Sequence, residues 1–115
     1  MEQHLKVLQT IGLATRARRL VTGEDVCQRQ LRAGKGKLCI VAEDASDNTK
    51  KRFSNMCNYR NVEIVFFGKK DELGKFTGKE SRTVIVIIDD GFAKKIKELL
   101  ATLTGVHEIG KNKST

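Results

Sequence analysis

Leu38-Cys39-Ile40-Val41-Ala42 is an unbroken apolar run, set between Gly34-Lys35-Gly36-Lys37 and the carboxylate pair Glu43-Asp44. A strand with one wet face alternates apolar and polar residues, so a run without a polar member predicts a strand covered on both faces. Two more such runs follow, Val62-Glu63-Ile64-Val65-Phe66-Phe67 and Val84-Ile85-Val86-Ile87-Ile88. The intervals between them carry helical spacing. Phe53, Met56 and Cys57 share one face of a helix expected from Asp47 to Tyr59, and a short helix from Lys70 to Thr77 is closed by Gly78. Beyond the last run, Phe92, Ile96, Leu99, Leu100 and Leu103 predict an amphipathic helix over 92–103.

Upstream, Leu5, Leu8, Ile11 and Leu13 predict a helix over 3–15, and Leu20-Val21 a short strand. Thr22-Gly23-Glu24-Asp25 fits a capping box, with Thr22 as cap and Asp25 reaching back, opening a helix from Gly23 to about Ala33 that Gly34 stops. Helices alternating with buried strands make an α/β protein. The expected fold is a three-layer α/β/α sandwich around a small, mostly parallel mixed sheet of about four strands. It occupies one domain over residues 1–104, followed by a polar, frayed tail over 105–115.

With 115 residues, 39% apolar and 31% charged, the chain is of ordinary globular composition. No apolar run approaches the roughly 20 residues of a membrane span, and Met1 to Lys6 do not lead into a signal-peptide core. Cys27, Cys39 and Cys57 are too widely spaced for a zinc knuckle, and His4 and His107 lie near the two ends. The cysteines are expected to be reduced core residues of a cytoplasmic protein. Glu43-Asp44 and Asp89-Asp90 follow strand ends, where paired acids can hold Mg²⁺ in receiver-type domains. The strand ending at Phe67, however, leads into Gly68-Lys69 and offers no aspartate to phosphorylate. Helix capping is the simpler role for these acids. No phosphate-binding glycine loop, zinc-protease motif or nucleophile elbow is present, so neither catalysis, cofactor nor metal is expected.

The formal charge is +8. It is concentrated early: residues 1–37 hold Lys6, Arg16, Arg18, Arg19, Arg29, Arg32, Lys35 and Lys37 against Glu2, Glu24 and Asp25. A surface of this kind attracts polyanions. The aromatic residues fall at core positions, which argues against a stacking sheet for single strands and for a folded RNA met by cations and a helix N-terminus. The start of the second helix is the candidate, with Arg16, Arg18, Arg19, Arg29 and Arg32 expected around it.

The run from Gly23 through Gly34-Lys35-Gly36-Lys37-Leu38-Cys39-Ile40-Val41-Ala42-Glu43-Asp44, with Glu72-Leu73-Gly74-Lys75-Phe76-Thr77-Gly78-Lys79-Glu80, resembles the kink-turn-binding family of ribosomal proteins, the L-seven-Ae type. Ile11-Gly12-Leu13-Ala14-Thr15-Arg16-Ala17-Arg18, Glu43-Asp44-Ala45-Ser46 and Gly91-Phe92-Ala93 are similar to its bacterial ylxQ-type branch. The resemblance covers about residues 10–100. It implies a cofactor-free binder of structured RNA, ribosomal or another kink-turn, with the ribosome as a further partner; the chain is expected to be a monomer. The second helix would enter the groove at tandem sheared G·A pairs, and a downstream loop would cover the bases flipped out at the bend. Carried over by position, the site comprises Gly23, Glu24, Asp25 and Arg29 from that helix, Ser46 and Lys50 from the third, Lys70 from the fourth, and the loop Lys79, Glu80, Ser81 and Arg82. The family's Gly-x-Asn-Glu-x-x-Lys reads Gly23-Glu24-Asp25-Val26-Cys27-Gln28-Arg29 here, and the usually apolar loop is polar. The alternative is a protein-interaction or regulatory module of the same fold with weak or lost RNA binding.

Overall fold

The computed structural model describes residues 2–103 and 108–109. Its elements are α1 (Glu2–Arg16), β1 (Leu20–Thr22), α2 (Glu24–Arg32), β2 (Leu38–Val41), α3 (Asp47–Arg60), β3 (Ile64–Phe66), α4 (Lys70–Phe76), β4 (Val84–Ile87), α5 (Asp90–Leu100) and β5 (Glu108–Ile109). Every helix and strand read from apolar spacing is present, with ends within a few residues of expectation. No described helix is long and apolar enough to cross a membrane.

The sheet runs β1-β4-β2-β3-β5, and each apolar run divides its side chains between two cores. Leu38, Ile40, Ile85, Ile87, Val65 and Phe67 face α1, α4 and α5, where they meet Val7, Ile11, Leu73 and Ile96. Cys39, Val41, Val84, Val86 and Ile64 face α2 and α3, against Cys27, Leu31, Phe53 and Cys57. Strand periodicity sends neighbours to opposite faces, so a run apolar at every position is what a sheet between two helical layers requires.

Strand direction corrects the expectation of a mostly parallel sheet. Only β2–β3 is parallel, while β1–β4, β2–β4 and β3–β5 are antiparallel. The cause is the segment after α4, which doubles back along that helix: the Lys79 amide donates to the Gly74 carbonyl, the Arg82 amide to the Lys70 carbonyl and the Ala42 amide to Thr83. β4 thus starts where β2 and β3 finish. The tail also departs from expectation. Glu108-Ile109 pairs with the outer side of β3, whose N–H and C=O groups would otherwise form an open edge. The rest of the expected frayed segment lies outside the described residues.

Cys27, Cys39 and Cys57 are buried and free. Burial pushes the Cys27 thiol up to about 12. A hydrogen bond with Cys57, and then burial, holds Cys39 well above the ordinary thiol range. Thiols that stay protonated make poor nucleophiles and poor metal ligands.

Candidate nucleic-acid interface

The C-terminal ends of β1, β2 and β3 and the start of β4 lie at one end of the sheet. The first turns of α2, α3 and α4 and the loop 79–83 therefore converge there. α2 begins without a side-chain cap: its N-cap is Gly23, at φ 94° and ψ 146°. Only glycine adopts that conformation readily, and a Cβ there would meet nothing within 4 Å. Gly23 is thus required by backbone shape and not by space. The expected capping box does not form. The Thr22 hydroxyl instead accepts a 2.9 Å hydrogen bond from Arg82 Nε, a partner distant in sequence. First-turn amides of a helix have no intrahelical acceptor; here no side chain among the described residues caps them, and they carry the positive end of the helix dipole.

Several predicted contact residues hold this end together. Glu24 binds Arg52 through one carboxylate oxygen. Its other oxygen accepts from Thr49 Oγ1 at 3.2 Å and Thr83 Oγ1 at 3.3 Å, joining α2 to the start of α3 and of β4. Ser46 caps α3 by accepting from the Thr49 amide, and Lys50 stands 5.8 Å from the centre of the Phe66 ring. Arg82, half-buried, also donates to the Ser81 carbonyl at 2.9 Å, so it fastens the loop to the entrance of α2. Asp25, Arg29, Lys70, Lys79 and Glu80 are exposed, and no described residue pairs with their side chains. Removal of Glu24 by Glu24→Ala should cost about 1–2 kcal/mol of stability, since it frees a network of charge-assisted bonds. Asp25→Ala should cost under about 0.5 kcal/mol. Denaturant titration of both variants checks this, and equal losses would contradict the assignment.

The carboxylate pairs act as caps, one of them unexpectedly. Asp89 accepts from the Phe92 amide at 2.8 Å and caps α5. Asp44 accepts from the Lys70 amide at 2.9 Å, so it serves α4 and not the adjacent α3. Among the described residues no His, Cys, Asp or Glu cluster could hold a metal ion.

The structure does not bring the remaining predicted arginines to the start of α2. Arg18 and Arg19 precede β1, with Arg19 hydrogen-bonded through its carbonyl to Ile88 and 4.0 Å from Asp89. Arg16 lies in the last turn of α1 and Arg32 in the last turn of α2. These elements finish at the opposite end of the sheet, one strand length or more from Gly23.

A family model described as "Ribosomal protein L7Ae/L30e/S12e/Gadd45 family" matches residues 5–98, nearly all of the helices and sheet just described. The chain belongs to this family. Two curated relatives are each called "RNA-binding protein YlxQ". That of Bacillus subtilis (strain 168) is 42% identical over 90 residues, covering 78% of this chain and 90% of the relative. That of Enterococcus faecium is 42% identical over 95 residues, covering 83% and 91%. Among solved structures, a protein with unknown function from Bacillus halodurans C superposes with a TM-score of 0.81 at 35% identity, over 84% of this chain and 97% of that one. The Giardia lamblia 15.5kD RNA binding protein gives a TM-score of 0.73 at 24% identity, over 88% and 87%, which bears on the fold alone. Membership of the L7Ae family agrees with the resemblance read from the glycine and strand motifs. Within that family pattern, Gly74 has a local reason. A Cβ at this position would stand 2.6 Å from the Glu80 carbonyl oxygen and the Ser81 nitrogen. The Leu73-Gly74 turn of α4 is therefore the surface on which the loop 79–82 rests.

Proposed function

We propose that this protein binds structured RNA of the kink-turn type through the open N-terminus of α2, without catalysis. It acts as a cytoplasmic monomer serving ribosomal or other translation-associated RNA. The observation that carries the reading is the convergence of an uncapped helix start at Gly23 with the anchored loop 79–82 at one end of the sheet. The first-turn amides of Glu24, Asp25 and Val26 are donors suited to base edges and phosphates in a widened groove. Asp25 is the exposed carboxylate able to accept from a guanine edge. Arg29, one turn further, is placed for a bidentate phosphate or guanine contact. The loop, with Lys79 and Glu80 exposed, covers flipped bases through polar contacts. The names of the B. subtilis and E. faecium relatives support RNA as the ligand.

The test is binding to a kink-turn RNA beside the same RNA with its sheared G·A pairs replaced by Watson–Crick pairs. The kink-turn is expected to bind at least about tenfold tighter, the discrimination of roughly one good base contact. Equal affinities would remove the reading. Salt dependence is the second readout. Of the cations assigned to the site, Arg29, Lys70 and Lys79 have no partner among the described residues, so the log–log slope for a minimal kink-turn should be roughly −2 to −3, at about −0.7 to −0.9 per phosphate contact. A slope near zero would contradict a phosphate-based site.

A further inference from the structure

The excess positive charge sits at the end of the sheet opposite Gly23. At the α2 start cations and carboxylates are interleaved, and pairs such as Arg52–Glu24 and Lys69–Glu43 are closed within the protein. At the far end the carboxylates among the described residues are Glu63, Asp89 and Asp90, and each is already engaged: Lys97 at 3.5 Å, Arg19 at 4.0 Å and Lys37 at 3.8 Å. Arg18, Lys35 and Arg60 have no carboxylate within 4.0 Å among the described residues. They stand respectively before β1, before β2 and before β3. β1 and β3 are three strand spacings apart in the sheet, about 14 Å. The surface is concave at its centre, where a cavity of about 310 Å³ is bordered by Lys37, Arg60 and Lys97.

Two further features of this end fit a nucleic-acid ligand. Tyr59, expected with the other aromatic residues at a core position, is instead 84% exposed, with the Arg60 guanidinium 5.2 Å from its ring centre. An open ring beside a cation is a platform for an unpaired base. Arg18 closes α1 in the left-handed conformation, at φ 59°, with the Arg19 amide donating to the Ala14 carbonyl at 2.8 Å. Glycine is the usual residue at this turn, and an arginine there is held at a conformational cost. Its side chain is exposed, with no partner among the described residues.

We infer that this end is a second RNA-binding surface, which grips the phosphates of another RNA segment with Arg18, Lys35 and Arg60 and stacks an unpaired base on Tyr59. One protein would then join two RNA segments at opposite ends of its sheet. The inference does not depend on the kink-turn reading, because its probe contains no kink.

The probe is a straight RNA duplex with a short single-stranded extension, titrated against the full chain with and without saturating kink-turn RNA. The duplex is expected to bind the kink-turn-loaded protein. Arg18→Ala/Lys35→Ala/Arg60→Ala is expected to weaken duplex binding about tenfold or more while changing kink-turn affinity less than about twofold, as the loss of three phosphate contacts predicts. Tyr59 is the sole tyrosine, so its ring resonances report the second site directly and are expected to shift with the duplex. Arg18→Gly is expected to raise the melting temperature while weakening duplex binding, which separates a ligand contact from a role in the turn. Complete displacement of the duplex by kink-turn RNA, unchanged duplex binding by the triple variant, or an Arg18→Gly protein weakened in both respects would overturn the inference. So would binding to phosphatidylserine vesicles without binding to the duplex, which would assign this surface to a membrane. If no kink-turn RNA binds, the free-protein titration and the triple variant still decide the matter.

Discussion

Gly74→Ala should destabilise the protein by about 1–2 kcal/mol and abolish tight kink-turn binding, although alanine is the better helix former. In an exposed helix interior the exchange would stabilise by about 1 kcal/mol. Here the added methyl would meet backbone, at 2.6 Å from both the Glu80 oxygen and the Ser81 nitrogen, and overpacking of this kind costs roughly 1–3 kcal/mol. Backbone cannot rotate out of the way as a side chain can, so the clash wins. Relief requires the loop to lift from α4. That breaks the 2.8 Å bond from the Lys79 amide to the Gly74 carbonyl and strains the 3.0 Å bond from Arg82 to Lys70. The melting temperature should fall by about 5–10 °C, at 4–8 °C per kcal/mol for a domain of this size. A stabilised variant with unchanged RNA affinity would show that the loop does not rest on this glycine.

The second large effect belongs to Arg29. Arg29→Ala should weaken kink-turn binding by about 1–3 kcal/mol, the usual value of one good charged contact, and leave stability within about 0.5 kcal/mol because the side chain is exposed. The matched control is Lys94→Ala, which removes one charge from an exposed position on α5 and should change binding by less than about 0.5 kcal/mol. Lys97 is unsuitable as a control, since it pairs with the buried Glu63 and its loss would break that ion pair. Equal losses from Arg29→Ala and Lys94→Ala would mean that net charge, and not a site on α2, drives binding.

The parts of the molecule legible in its sequence are those set by local patterns. Runs such as Leu38 to Ala42 declare a strand covered on both faces, and the spacing from Phe92 to Leu100 declares a helix with one buried side. Strand direction is not local. It turns on the path of residues 77–83 back along α4, and neither apolar runs nor glycine positions encode that directly. The same holds at the site. Thr22 looks like a cap because Asp25 follows at the right interval, but its hydroxyl is taken by Arg82, sixty residues on. Arg18 and Arg19 are close to Gly23 in sequence, yet extended β1 residues advance about 3.3 Å each and set them at the opposite end. Family motifs pointed to Gly23 and to the loop, and a hydrogen bond from Arg82 to Thr22 joins the two segments. The motifs gave no sign that Glu24 and Arg82 also tie the interface together, because those bonds depend on separate segments meeting.

The central claim is that the first turn of α2 meets the RNA. Amide chemical-shift mapping of the protein with a minimal kink-turn RNA tests it most directly. The account predicts that the largest changes fall on the amides from Gly23 to Val26, with a second group from Lys79 to Arg82, while Arg18, Lys35 and Arg60 are little affected. Changes confined to the basic far end, with the α2 amides unmoved at saturation, would contradict it.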